Sequence, residues 1–176
     1  MPKKSDIIQR ARTKALENDK FSGCSQSVLG SLQEVLEIGN MESFKAATVL
    51  SGGLARRGET CGAIIGALLA LGLVIGREKM EDTDRYRAAM EPAWEIIDGF
   101  KAELGKQFGF KEELKGTLCG EIQEKVFGRS FDNATEEGYK AFLAAGGHSD
   151  KGCPKVCAIA AQVAAEKILE IKDEGK

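Results

Sequence analysis

The chain has 176 residues, enough for one domain with a sizeable core, and its 43% hydrophobic and 6% aromatic content suits a helical interior filled by aliphatic side chains. A formal net charge of -2, with both signs interspersed, gives no bulk attraction to nucleic acid or to an anionic membrane. The charged opening MPKKSDIIQRARTK lacks the apolar stretch of a signal peptide, so a cytoplasmic protein is expected. In that reducing setting its five cysteines are expected as thiols, metal ligands or redox partners rather than structural disulfides.

Ser5 to Asn18 reads as a first amphipathic helix started by Ser5, with Ile7, Ile8, Ala11, Ala15 and Leu16 on one face. Ser22 is the expected cap of a second, whose inner face carries Val28, Leu29, Leu32, Val35 and Leu36. Cys24, one turn before Val28, points to the core from the first turn. Gly39 and Asn40 are expected to stop that helix, and Met41 to Leu50 forms a short third one with Phe44 and Ala47 inward. The glycine-rich SGGLARRGE is a loop, and Arg56 and Arg57 read as solvated charges or as a source of positive potential near Cys61.

Thr60 to Gly76 carries no charge. Dominated by Ala, Leu and Gly, it predicts a buried helix over Gly62–Ile75 with a small-residue side at Gly62, Ala63, Gly66, Ala67 and Ala70, where a neighbour approaches closely. It falls short of the ~20 residues of a membrane span, so no membrane role is expected. Asp82 or Thr83 caps a long helix to about Phe108, with Tyr86, Met90, Trp94, Ile97, Phe100 and Leu104 as its apolar stripe and Pro92 as a kink or division. Helices over Leu118–Phe127, Thr135–Ala145 and Cys153–Ile171 follow. His148 reads as a surface histidine in the polar loop before Cys153, with a metal ligand or proton relay as the sharper alternative. The expected fold is all-α: one compact domain of about six to seven helices around the buried central helix.

Cys24, Cys61, Cys119 and Cys153 all stand at predicted helix starts, where unpaired amides and the positive end of the macrodipole favour a thiolate. A depressed pKa is therefore expected, first at Cys61, with Thr60 as the cap of its helix. No C-x-x-C pair or zinc pattern is present, so any shared site must be assembled from distant helices. Cys157, one turn after Cys153, reads as a resolving thiol, an extra ligand or a buried cysteine.

The segments GCSQSVL, SGGLARRGETCGAIIGALLALGL, LCGEI and CPKVCAIAAQVAAEKIL resemble the redox-active proteins named for their C_GCAxxG_C_C cysteine pattern. The resemblance runs from about Ile7 to the C-terminus, with Lys125 to Gly152 longer than the pattern and Cys157 outside it. It implies redox activity or cluster binding through Cys24, Cys61, Cys119 and Cys153. The pattern is also distantly similar to a part of split-Soret cytochromes c, but no C-x-x-C-H sequence for covalent haem is present.

Three functions compete. Four thiolates can hold a [2Fe–2S] cluster, or another metal such as zinc, for electron transfer with a redox partner protein. A thiol–disulfide oxidoreductase would use Cys61 as nucleophile and Cys24 or Cys153 to resolve. A structural interaction protein, a homodimer being one form open to it, would merely bury its cysteines. The first two readings require Cys24, Cys61, Cys119 and Cys153 to meet in one pocket.

Overall fold

The computed structural model describes residues 3–175, and its regular structure is helical. In order come α1 (Lys4–Asp19), α2 (Cys24–Leu36), α3 (Met41–Ala46), a 3-10 turn (Thr48–Leu50), α4 (Gly62–Ile75), α5 (Thr83–Ala88), α6 (Met90–Phe108), α7 (Cys119–Phe127), α8 (Glu136–Ala144) and α9 (Cys153–Glu174). The expected six to seven helices become nine among the described residues, α3 and α5 being six-residue pieces. The one extended pairing among them is an isolated antiparallel bridge between Thr60 and Leu118. No helix among the described residues is long and apolar enough to cross a membrane.

The centre is shared by two helices rather than held by α4 alone. In α9, Pro154 sits in the first turn, where its missing N–H costs no helical bond. The run from Val156 to Ala161 is buried on every side, and α9 packs against α1, α2, α4 and α6. Its alanines let those neighbours come close. α4 buries Gly62, Ala63, Ile64, Gly66, Ala67, Ala70 and Leu71, but its last turns emerge, and Leu73 is 41% exposed. The expected burial therefore holds for the half nearest Cys61.

Two glycines explain why α4 begins as it does. A Cβ on Gly66 would collide with the carbonyl oxygen of Ser25, and one on Gly62 would stand 2.5 Å from the Cys24 sulfur. Glycine at both positions lets α2 and α4 meet backbone to backbone. Ser25, buried there, donates to the Ala47 carbonyl (2.7 Å) and lies 2.7 Å from the Ser51 hydroxyl, so its polarity is satisfied.

Several expectations need correcting. Lys3, Gly23 and Cys61 occupy the N-cap positions expected for Ser5, Ser22 and Thr60, and none of the three makes a side-chain cap bond. Thr60 belongs instead to the bridge. α2 ends at Leu36, where Glu37 turns left-handed, and Asn40 starts α3 through a capping box with Ser43. The long helix before Phe108 divides at Ala89, so the series Tyr86, Met90, Trp94 does not continue the buried face Ile96, Phe100, Leu104. Trp94 is 60% exposed rather than in the core.

Candidate functional site

All four expected helix starts carry their cysteines: Cys24, Cys119 and Cys153 open α2, α7 and α9, and Cys61 is the N-cap of α4. The bridge straps two of these starts together. Cys61 donates its N–H to the Thr117 carbonyl (2.8 Å), Cys119 to Glu59 (2.7 Å), and Gly120 to Gly58 (3.2 Å). Cys24 is drawn against the first turn of α4 by the gap left at Gly62. Cys153 is tied to the loop before it through its N–H on the Gly147 carbonyl (2.9 Å).

The loop between the 3-10 turn and α4 has an uncommon shape. Gly52, Gly53, Leu54, Ala55 and Arg56 all have positive φ, from 49° to 72°, which makes a single left-handed turn. Non-glycine residues disfavour that region by roughly 1–2 kcal/mol each. Amides of Ala55, Arg56, Gly58 and Glu59 hold the turn by donating to Val49, Ser51, Gly52 and Gly53. It sets Ser51 and Gly52 against the Cys24 sulfur and carries the Arg56 guanidinium over the Tyr139 ring, 4.3 Å from its centroid.

Cys24, Cys61, Cys119, Cys153 and Cys157 line one cavity of about 60 Å³. Cys61, Cys119 and Cys157 are buried, whereas Cys24 and Cys153 keep part of their surface exposed, and all five are free thiols. Part of the cavity wall is aromatic, with Tyr139 and Phe142 lining it. Phe142, on α8, packs edge-on against Phe127 and Phe131 (5.8 Å each) and against His148 (5.3 Å).

His148 is not a surface histidine. Its ring is largely enclosed, and Nδ1 lies 3.3 Å from Oδ2 of Asp19, a carboxylate with no exposed surface at the end of α1. Asp19 Oδ1, His148 Nε2 and Asn133 Oδ1 are buried without a hydrogen-bond partner, and all three residues line the thiol cavity.

The electrostatics reverse the expected thiol acidity. Burial pushes Cys24 up to about 11 and Cys119 up to about 12, and it raises Cys61, Cys153 and Cys157 well above the usual thiol range. The charge of Asp19 adds to burial at Cys24, Cys119, Cys153 and Cys157. The helix-start amides do act as the sequence argument requires, those of Ala63 and Ile64 lowering Cys61 and that of Ser25 lowering Cys24, but burial outweighs them. Arg56, engaged with Tyr139, does not offset it. All five sulfurs are thus held as thiols at neutral pH.

The residues fit a metal or cluster only in part. Thiolate sulfur is a suitable donor for a soft metal or for iron. Yet among the described residues no three Cys, His, Asp or Glu side chains stand close enough together to hold one metal ion.

Sequence reasoning missed Asp19 and Asn133. For Asp19 a signal existed: the buried stripe of α1 runs Ala11, Ala15, Asp19 at four-residue steps, which puts the carboxylate on the core face. Asn133 lies in the irregular segment before α8, where no periodicity operates.

A family model described as "Putative redox-active protein (C_GCAxxG_C_C)" matches residues 22–167. No curated protein and no solved structure matches the chain.

Proposed function

The chain belongs to the C_GCAxxG_C_C family of redox-active proteins, and from that premise we propose that its redox groups are the thiols of Cys24, Cys61, Cys119 and Cys153, cycling between dithiol and disulfide. One observation carries the reading: cysteines from four helix starts, distant in sequence, line the same small cavity. When two of these thiols pair, two S–H bonds break, one S–S bond forms, and two protons and two electrons pass to an external two-electron acceptor. A dithiol donor reverses the step. Cys24 and Cys153, partly exposed, are the pair that meets the acceptor, and the buried Cys61 and Cys119 stand behind them to exchange.

Raised thiol pKa values suit a resting reduced state. A buried thiol is a weak nucleophile until a neighbour takes its proton, so the cavity stays reduced unless proton removal and oxidant coincide. Incubation of the reduced full chain in oxidising glutathione buffer, followed by alkylation and peptide mapping, tests this. Disulfides confined to Cys24, Cys61, Cys119 and Cys153 are expected. Thiols that all stay reduced, in a buffer that oxidises the unfolded chain, would overturn it.

A second reading is a [2Fe–2S] cluster or another thiolate-bound metal on the same sulfurs. It is favoured by the soft donor set and by the Asp19 charge, which leaves thiolates in this cavity in need of a bound cation. Among the described residues no three donors are grouped as one metal ion needs, so no step is routed through it. Iron content and visible charge-transfer absorption of protein purified without air separate the two.

A further inference from the structure

We infer that the oxidant this cavity takes is a small hydroperoxide, held by Asp19, Asn133 and His148 and reduced first by Cys153. The inference rests on the dithiol reading above and names the substrate class of that site. Two features of the cavity lead there.

The first is access. With Cys61 5% and Cys119 8% exposed, a protein disulfide reaches at most the partly exposed Cys24 and Cys153, whereas a guest of a few atoms fits in the space that all these thiols line. The cavity admits a few water-sized groups, since one water needs roughly 10–15 Å³.

The second is hydrogen bonding. In the tautomer where His148 Nδ1–H donates to Asp19 Oδ2, Nε2 is an acceptor. Asp19 Oδ1 and Asn133 Oδ1 are acceptors as well, and none of the three has a partner. The matching guest donates hydrogen bonds, is a few atoms in size, and carries a bond that thiols can reduce. A hydroperoxide meets all three conditions; water meets only the first two.

Cys153 is placed for the first attack. It keeps partial exposure, follows His148 by five residues, and is tied by its N–H to Gly147, beside that histidine. Its sulfur forms a bond to one hydroperoxide oxygen as the O–O bond breaks. The thiol proton, relayed by His148 Nε2, ends on the departing oxygen to give an alcohol, or water from hydrogen peroxide, and Cys153 becomes a sulfenic acid. Cys24 or Cys61 then displaces that hydroxyl as water by forming the S–S bond. In sum, one hydroperoxide and two thiols give one disulfide, one alcohol and one water, and an external dithiol restores the thiols.

Rapid mixing of the reduced full chain with hydrogen peroxide or tert-butyl hydroperoxide, with and without dimedone to trap sulfenic acid, tests the inference. Without dimedone, one peroxide consumed per two thiols lost is expected; with dimedone present, the adduct is expected at Cys153 and none in Cys153→Ser. His148→Gln should slow consumption by about a hundredfold, the lower end of what a positioned proton acceptor contributes, in protein that still melts cooperatively well above the assay temperature. Asn133→Ala serves as the second variant, and the peroxide concentration for half-maximal rate should rise about tenfold for one lost hydrogen bond. Consumption no faster than by the unfolded chain, or unaffected in Cys153→Ser, overturns the inference. If a diazenedicarboxamide oxidant closes the disulfide and hydroperoxide does not, the dithiol reading stands and this one falls; if neither does, both fall.

Discussion

The two ends of the same helices obey different rules. Along their lengths α1, α2, α4, α6 and α9 meet through small and aliphatic side chains such as Ala15, Leu29, Ala67, Ile96 and Ala164, all without exposed surface. Around the cysteine-bearing starts of α2, α4, α7 and α9 lie thiols, a buried carboxylate, three unpartnered polar atoms and a left-handed turn. A core built only for stability would hold none of these, because each is costly. Their concentration at one end sets the aliphatic middle, where burial supplies stability, apart from the cavity to which the proposed thiol chemistry is given.

The largest expected effect is the alkaline one, since it engages several groups of the cavity together. Cys24 rises from 9.0 to about 11 and Cys119 to about 12, both through burial first, so their folded pKa values lie above the unfolded one. Below pH 9 the thiols are protonated in both states and stability is intact. As pH climbs from 9 toward 11–12 the unfolded chain loses protons that the folded chain keeps, and stability falls by about 1.4 kcal/mol per pH unit for each such thiol. Urea unfolding of the reduced protein across that range should show the decline. A flat profile would mean that the sulfurs are not buried in an apolar cavity.

Next comes the middle itself. Phe100, fully buried on α6, should cost ~3–5 kcal/mol when cut to alanine, while native-state alkylation of the thiols stays unchanged. Thiols that alkylate faster in the still-folded variant would break the division between the two regions. Gly66→Ala acts at the seam between them. With the Ser25 carbonyl where the methyl must go, α2 and α4 have to part, at roughly 1–3 kcal/mol by chemical unfolding.

What the sequence made legible follows the same division. The charge-free run located α4 to the residue, and the four helix-start cysteines were visible because cysteine followed by a helical pattern is a local signal. Their convergence was legible as a requirement, not as a geometry. The sign of the thiol shifts was not, because burial is a tertiary quantity and it outweighed the local amides at Cys61. His148 and Asn133 sit in irregular segments where neither spacing nor periodicity reports what a side chain faces. Their surroundings arise from α1 and the aromatic wall, more than a hundred residues from Asp19 in the case of His148.

The aromatic wall supplies a smaller effect on stability. Phe142→Leu keeps an apolar side chain but removes the ring that meets Phe127, Phe131 and His148, at ~1 kcal/mol for the aromatic contacts. Alkylation of Cys153 should nonetheless speed up, since the wall of the cavity thins. An unchanged rate would show that the cavity is closed from elsewhere.

The smallest effect is expected at Trp94, where the largest side chain of α6 would ordinarily suggest the largest loss. α6 turns Ile96, Phe100 and Leu104 inward at four-residue steps, and Trp94, two residues from Ile96, lies about 200° around the helix from it. Its ring is 60% exposed, beside Met90 and Tyr86 at the outer end of α4. Replacement by serine removes little that folding took from water, so unfolding free energy should move by less than ~0.5 kcal/mol. The thiols, at the opposite end of α4, should alkylate and oxidise as before. A loss of several kcal/mol in Trp94→Ser, measured by urea unfolding at a concentration where the chain is monomeric, would place that ring in the core, and the aliphatic middle would then extend to a face that the structure leaves open to solvent.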